Sequence, residues 1–178
     1  LLNYIFPMIK SISTAFIKKS IVYILIFGMF LFNNVSEVFA KRPPEIRNQQ
    51  DLDLEQDMHG QDLSGNEFVK FDLNGFNFSD SNLQGAVFNN SKLNNATLNG
   101  ANLTDALAYA TDFTGADLSG VNFTNALLME SNFDGAKIDG ADFTDAVISR
   151  IQQKELCAKA NGVNPNTGES TEYSLGCK

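Results

Sequence analysis

Residues 101–120 read ANLTDALAYATDFTGADLSG, a stretch that divides into four units of five residues. Leu103, Phe113 and Leu118 are the central residues of three units, and Ala108 is the central residue of the fourth. In the three regular units a small residue comes two positions before the centre, and Asp or Gly comes two positions after it. The local pattern is therefore small, polar, large apolar, polar, turn.

The same five-residue pattern continues across residues 61–150. Leu, Phe or Ile occupies 17 of the 18 central positions from 63 to 148, and Gly, Asn or Asp occupies 14 of the 18 turn positions. A helix repeats its face about every 3.6 residues and a strand every two, so a period of five fits neither as a long element. It fits a very short strand followed by a corner, with the small and large residues both facing inward. The pattern predicts an all-β solenoid.

The units at 101–105, 116–120 and 141–145 match the consensus A(D/N)LXX nearly verbatim, and through it the chain resembles the pentapeptide-repeat proteins. The resemblance implies a right-handed quadrilateral β-helix, in which four units form one square coil of 20 residues. Residues 61–150 would then form about 4.5 coils, from 90 residues divided by 20. Residues 41–60 would form an N-terminal lead-in or cap, and residues 151–178 a C-terminal helix and a disulfide-closed tail.

The outward position just before each central residue provides an independent check on the coil length. This position is polar in nearly every unit, and its four apolar exceptions are spaced 20 residues apart. A 20-residue coil would stack these four on one face, which also carries Tyr109 and Met129 at the other outward position. We name the set the apolar stripe and predict that it is an interaction surface. Its residues are Val87, Leu107, Tyr109, Leu127, Met129 and Val147.

Three interpretations of the apolar stripe are open. It binds a protein partner, it binds a second copy of the chain, or it is covered by the chain's own C-terminal tail or lead-in. The question matters because a contiguous exposed apolar patch is uncommon on a monomeric soluble protein.

Residues 1–40 differ from the rest of the chain and predict an export signal. Their only charges are three lysines and one glutamate, and an unbroken apolar run occupies residues 21–32. The run has 12 residues, fewer than the roughly 18 to 20 needed to cross a bilayer, and it precedes the small-residue site Val38-Phe39-Ala40. We expect cleavage after Ala40, with an uncleaved anchor as the alternative. The protein would then occupy the thylakoid lumen or the periplasm.

The residues after the repeat predict a cap. Ser149 and Gln152 have the spacing of a capping box, which would open a helix of about ten residues. Ile151 and Leu156 would face the last coil, and Asn161-Gly162 would end the helix. An open solenoid end needs such a cover, because it exposes apolar side chains and unpaired backbone groups.

Cys157 and Cys177 are the only cysteines, and both follow the repeat. In an exported protein the default prediction is a disulfide, and a redox-sensitive pair is the alternative. An export signal combined with a helical cap and a cysteine pair resembles the layout of the thylakoid-lumenal pentapeptide-repeat proteins of cyanobacteria and chloroplasts.

The charge and the single histidine limit the possible functions. Removing residues 1–40 takes away three positive charges and one negative, so 13 basic and 21 acidic residues become 10 and 20, a net charge of −10. A basic nucleic-acid-binding protein is excluded. His59 is the only histidine, which leaves neither a histidine triad nor a zinc site with several imidazoles. We predict no catalytic residue, no metal, no cofactor, no nucleic acid, and no membrane contact after cleavage.

The sequence therefore predicts a non-enzymatic interaction or structural module outside the cytosol, with an unidentified protein partner. Some members of the family that the chain resembles mimic DNA and inhibit type II topoisomerases, and an acidic charge is compatible with that role. The predicted export signal disfavours this alternative, because those relatives act in the cytosol.

Overall fold

The computed structural model describes residues 56–178. The predicted export signal and residues 41–55 of the predicted lead-in lie outside the described residues. All of the described residues belong to one structural unit. No helix in this part of the chain is long and apolar enough to span a membrane.

Residues 20 positions apart pair in parallel, from Asp57 to Val147. Each pairing in this region is a single-residue β-bridge, and one occurs in every five residues, so each coil has four sides. In the bridge between Asn102 and Asn122, Leu103 N–H donates to Asn122 O at 2.8 Å, and Asn122 N–H donates to Ala101 O at 3.0 Å. This register is that of a β-helix with a 20-residue coil. The right-handed sense of the coil stays a prediction.

The regular coil begins before residue 61. Asp57 already pairs with Asn77, and Met58 is buried. Residues 56–60, assigned to the lead-in by their sequence, therefore form one side of the first described coil. The inward Asn66 is a poor core residue, but its carbonyl oxygen accepts from Val87 N–H at 2.9 Å. The register survives a polar inward residue because the backbone makes the pairing.

Each five-residue unit turns because three local features act together. The Asn102 side chain accepts hydrogen bonds from the backbone N–H and the hydroxyl of Thr104, at 3.1 and 2.7 Å. Ala106 N–H donates to Leu103 O at 3.1 Å, which closes the turn. Asp105, at the corner, has a φ of 59°, a left-handed conformation that Gly, Asn and Asp tolerate best. The polar second residue and the turn residue of each unit therefore have structural roles.

The inward central residues form a continuous apolar core. Phenylalanines one coil apart stack on each other: the ring centroids of Phe68 and Phe88 are 5.0 Å apart, and those of Phe123 and Phe143 are 5.2 Å apart. Ala108, the exception in the repeat, is also fully buried. Burial of these columns supplies the main stabilising term of the solenoid.

Helix α1, Arg150–Cys157, follows the last coil. Its predicted capping box is confirmed: Ser149 Oγ accepts from Gln152 N–H at 3.2 Å, and Gln152 Oε1 accepts from Ser149 N–H at 2.8 Å. Leu156 is buried as predicted, but the prediction for Ile151 is wrong, because 72% of it is exposed. Residues five apart are about 140° apart around a helix, so one face does not bury both. The side chain of Gln152 faces the coil instead.

Helix α1 also ends before the predicted Asn161-Gly162, because the chain leaves the helix to bond the last coil. Ala158 is the C-cap, and Asn161 O accepts from Gly140 N–H at 2.7 Å. Helix α2, Thr171–Ser174, follows, and a disulfide joins Cys157 to Cys177. The predicted disulfide is therefore confirmed.

Groups from the C-terminal cap replace the hydrogen bonds that a further coil would make. Gln152 Nε2 donates to the carbonyl oxygens of Leu128 and Ser131, at 2.9 and 2.8 Å. On the next side Lys159 Nζ donates to two carbonyl oxygens, at 2.7 and 2.8 Å. On the last side Ser174 Oγ accepts from the N–H of Phe143 at 3.0 Å. With Asn161 on the remaining side, all four sides of the last coil are bonded to the cap.

Candidate interaction surface

The apolar stripe lies on one side of the coil, as its spacing predicts. Val87, Leu107, Leu127 and Val147 pair in succession through backbone bridges, which stack their side chains in one column. Leu107, Leu127 and Val147 expose 36%, 42% and 41% of their surface. On the other three sides of the described coil every residue at this position is polar or charged. One side therefore differs chemically from the rest.

Tyr109 and Met129 form a second exposed column on the same side. Asn89, one coil before Tyr109, stabilises this column through its side chain, which accepts from Tyr109 N–H at 2.9 Å. Val69 begins the column and is also exposed. Val69 is not among the predicted residues of the stripe, although its spacing of 40 residues from Tyr109 is the signal that places it on this side.

The Tyr109 phenol is held by a carboxylate at the edge of the stripe. A hydrogen bond to Glu130 raises the pKa of Tyr109, and slight burial and the charge of Glu130 act in the same direction. The phenol of Tyr109 and the carboxylate of Glu130 therefore interact where the stripe meets its neighbouring corner.

Two corners border the apolar stripe. We name the corner before it the leading margin and the corner after it the trailing margin. The leading margin consists of Gly65, Gly85, Asp105, Asn125 and Asp145, and the trailing margin of Lys70, Asn90, Ala110, Glu130 and Arg150. Three residues of the trailing margin, with φ values of 63°, 51° and 62°, are left-handed without being Gly, Asn or Asp. Such a conformation costs about 1 kcal/mol per residue, so other contacts hold this corner in place.

Buried hydroxyl groups support the trailing margin from inside the coil. Ser131 Oγ accepts from Thr111 N–H at 3.0 Å and donates to Ala108 O. In an ordinary unit the equivalent N–H donates directly to the equivalent carbonyl oxygen. In this unit the Ser131 hydroxyl lies between the two groups and bonds both of them. Ser91 makes the same pair of contacts two coils earlier. This column was not predicted, although its signal is present in the sequence as hydroxyl residues spaced by 20 at a position where Ala is common.

The C-terminal tail does not cover the apolar stripe. It lies on the end of the last coil, where Gln152, Lys159 and Ser174 bond the backbone. Further along, Asn164 donates to Gly120 O, on a different side from the stripe. The interpretation that the tail buries the stripe is therefore wrong, because its polar groups are used at the coil end. The lead-in interpretation falls on residues 41–55, outside the described part of the chain.

His59 does not form a catalytic arrangement. Its Nδ1 lies 2.9 Å from Ser79 Oγ and 3.9 Å from Asp80 Oδ2, so both contacts use the same ring nitrogen. A triad places the nucleophile and the carboxylate on opposite ring nitrogens. Ser79 Oγ also donates to Asn77 Oδ1 at 2.6 Å. Within residues 56–178 no three His, Cys, Asp or Glu side chains group closely enough to hold a metal ion.

Comparison with known proteins agrees with the repeat. The family model for pentapeptide repeats matches residues 72–107 and 109–146, in eight copies. A pentapeptide repeat protein from the Arabidopsis thaliana thylakoid lumen is 34% identical, over 70% of this chain and 90% of its own, with a TM-score of 0.33. The pentapeptide repeat protein Rfr23 from the cyanobacterium Cyanothece 51142 is 20% identical, over 57% and 97%, with a TM-score of 0.50. No curated protein matches the chain.

The plasmid-mediated fluoroquinolone resistance protein QnrB1 is 16% identical, over 51% of this chain and 61% of its own, with a TM-score of 0.35. The Rfr23 likeness supports the fold. The matched repeats, together with 34% identity across 90% of the Arabidopsis relative, show the family as well as the fold. The chain belongs to the pentapeptide-repeat family.

Proposed function

We propose that the protein is exported and works in a thylakoid lumen or a periplasm, as a non-enzymatic module that binds another protein through the apolar stripe. The observation that carries the proposal is the difference between one side of the coil and the other three. Leu107, Leu127 and Met129 stay exposed on that side, whereas the equivalent outward residues elsewhere are polar or charged. Contiguous exposed apolar residues with a polar surround are typical of binding surfaces.

The location is supported by three independent observations. The sequence of residues 1–40 predicts an export signal. The Cys157–Cys177 disulfide suits an oxidising compartment. The relative that is 34% identical comes from a thylakoid lumen.

The non-enzymatic role is supported by how the polar residues are used. Outward Asn and Asp side chains, such as Asn102 and Asp112, accept hydrogen bonds from the unit that they belong to. They serve the turns of the repeat, and the family consists generally of structural or interaction modules.

Binding is tested by changing Leu107 and Leu127 together to Asn. Asn is common at this outward position on the other sides, and there it caps the turn without adding a charge, so the fold should be kept. The matched control is Thr97→Asn, the same outward position on a polar side. Crosslinking in the native compartment should capture a partner with the wild-type chain and the control, and not with the double variant. Equal capture by all three chains would refute the proposed surface.

Location is tested by N-terminal sequencing of the protein recovered from fractionated cells. We expect a mature chain that begins at Lys41 in the lumenal or periplasmic fraction. A cytosolic chain that retains residues 1–40 would refute export, and it would restore the DNA-mimicking topoisomerase inhibitor as a hypothesis. Supercoiling assays would then test that role directly.

A further inference from the structure

The side of the coil that carries the apolar stripe is built to complement itself. It presents two parallel columns: Leu107 and Leu127 belong to the first, and Tyr109 and Met129 to the second. The columns are bordered by the leading margin, which carries Asp105 and Asp145, and by the trailing margin, which carries Lys70, Glu130 and Arg150. The coil levels recur at one fixed spacing, about 4.8 Å between paired strands. A second copy of the chain therefore has matching levels along the whole contact.

We propose that the partner of the apolar stripe is a second copy of the chain, related by a two-fold axis parallel to the coil axis. This inference rests on the proposed role of the stripe as a binding surface. Such an axis places each column against the other column of the second copy at the same coil level. Leu107 then meets Tyr109 of the second copy, and Leu127 meets its Met129. Each aromatic or thioether side chain receives an aliphatic one.

The charges on the two margins favour this orientation. The two-fold axis sets the leading margin against the trailing margin at each level, so Asp145 faces Arg150 of the second copy, twice by symmetry. Within the described residues, neither Asp145 nor Arg150 forms an ion pair in the single chain. At the other levels Gly65 faces Lys70 and Asp105 faces Ala110, so no like charges meet. The opposed charges guide the two copies into register.

An antiparallel dimer centred on Leu107 is less favourable. The two-fold axis of an antiparallel dimer is perpendicular to the coil axis. Each margin then faces the same margin of the second copy, with the order of the coil levels reversed. Lys70 would face Arg150 of the second copy, and Asp105 would face its own equivalent. Like charges that face each other across an interface disfavour that arrangement.

The size of the surface predicts a weak dimer. The stripe side spans five coil levels from Glu67 to Val147, which are separated by four strand spacings, or about 19 Å. A contact of that height and the width of one coil side buries less than the roughly 1,200 Å² of a stable complex. The dimer should therefore form and dissociate readily and depend strongly on protein concentration.

The test is sedimentation velocity over a wide range of concentration, on the full chain expressed with its own N-terminal segment and purified as the cell processes it. The wild-type mass should rise from monomer to dimer, and Thr97→Asn should behave in the same way. Leu107→Asn with Leu127→Asn should stay monomeric, with an unchanged circular dichroism spectrum. A wild-type chain that is monomeric throughout, or a dimer that tolerates the double variant, would overturn the inference.

Charge reversal tests the orientation. Asp145→Lys and Arg150→Glu each convert two attractive pairs into two repulsive ones, and each should weaken dimerisation about tenfold. Arg150 is the first residue of α1, where a glutamate is favourable, so Arg150→Glu should keep the fold. Asp145 is a left-handed corner, a conformation that Lys70 also adopts, and an unchanged circular dichroism spectrum would show that Asp145→Lys keeps the fold as well. The double reversal should restore the wild-type dissociation constant. A double variant weaker than either single one would refute the parallel arrangement.

The results also separate this inference from the proposed function. A monomeric wild-type chain whose partner capture is still lost in the Leu107→Asn, Leu127→Asn variant would overturn the self-association and keep the binding surface. If the Leu107→Asn, Leu127→Asn variant still dimerises and still captures a partner, both the self-association and the proposed binding surface are overturned.

Discussion

Single hydroxyl groups determine the shape of the corner beside the apolar stripe. Ser131→Ala should destabilise the protein by about 1 to 2 kcal/mol, because it leaves Thr111 N–H and Ala108 O buried without their shared partner. The matched control is Ser81→Ala, since Ser81 is equally buried but bonds only Phe78 O, in an ordinary turn. Urea unfolding should show a clearly smaller loss for the control. Equal midpoints for the two variants would contradict this role of Ser131.

The ionisation of Asp112 makes the free energy of unfolding depend on pH. Burial raises the pKa of Asp112, but hydrogen bonds from Thr114 and Asn94 together with the charge of Lys92 outweigh it, and the pKa is lowered overall. A carboxyl group with a lowered pKa in the folded state stabilises above its unfolded pKa, and this contribution is lost as pH falls through the folded value. Asp112→Asn should therefore be less stable than the wild type at neutral pH, and the gap should narrow towards about pH 3.

The measurement for Asp112 is the urea midpoint of both chains across that range of pH. Asn keeps the oxygen that accepts from Thr114 N–H and does not titrate, but it replaces the oxygen that accepts from Asn94 Nδ2, which adds a loss that does not depend on pH. Only the part of the gap that changes with pH therefore measures the ionisation of Asp112. A gap that stays constant with pH would show that the Asp112 charge does not contribute to stability.

At the scale of single residues, sequence periodicity predicts which way a side chain faces, but it does not predict the contacts that the side chain makes with neighbouring coils. The column of Leu107 and Leu127 could be predicted, because residues 20 apart must share one side of a 20-residue coil. The role of Ser131 could not be predicted, because the pattern shows that it faces inward but not which backbone groups it meets. That contact joins residues 23 positions apart, and it exists only once the coils are stacked.

Helix α1 is attached to the last coil through the side chain of Gln152. Gln152→Ala removes the capping-box acceptor for Ser149 N–H and the donor for the carbonyl oxygens of Leu128 and Ser131. Leaving these groups without partners should cost about 2 to 3 kcal/mol. Glu155→Ala, an exposed change in the same helix, should stay within about 0.5 kcal/mol of the wild type. Thermal or urea unfolding distinguishes the two, and similar losses would mean that Gln152 is not the attachment point.

The disulfide holds the two cap helices together. Cys157→Ser with Cys177→Ser should lower the free energy of unfolding by about 3 kcal/mol, because the bond restricts a loop in the unfolded chain. The separation is 20 residues. Urea unfolding of the variant should match that of the wild type under reducing conditions. A variant as stable as the oxidised wild type would contradict this stabilisation and favour the redox-sensitive alternative.

The cap could be predicted only as far as local spacing extends. Ser149 and Gln152 are three residues apart, so their capping box could be predicted from the sequence alone. Which face of α1 meets the coil could not be predicted, because the favoured apolar residue, Ile151, lies outward and the amide of Gln152 lies inward. An open coil end presents carbonyl oxygens as well as apolar side chains, and a donor is required there.

The whole molecule behaves as a stack in which each coil contacts only its neighbours. Stability in such a stack depends on interfaces between adjacent units, so an uncovered end weakens the nearest coil first. The described cap supplies hydrogen bonds to all four sides of the last coil, through Gln152, Lys159, Asn161 and Ser174. The same groups block the backbone edge, which would otherwise be available to pair with another chain.

Removing residues 151–178 should therefore make the protein fray from its C-terminal end and aggregate. Hydrogen exchange should accelerate most in residues 128–147, which lose their bonded neighbours, and progressively less towards residue 58. Light scattering should show association that rises with concentration, because the last coil then offers unpaired carbonyl oxygens beside Phe133 and Phe143. The Cys157→Ser, Cys177→Ser variant is the control, since it keeps the cap in place without the covalent link and should remain dispersed. If the truncated chain stays monomeric with wild-type exchange across the last coil, then the cap is not what ends the stack, and the edge must be protected by the coil itself.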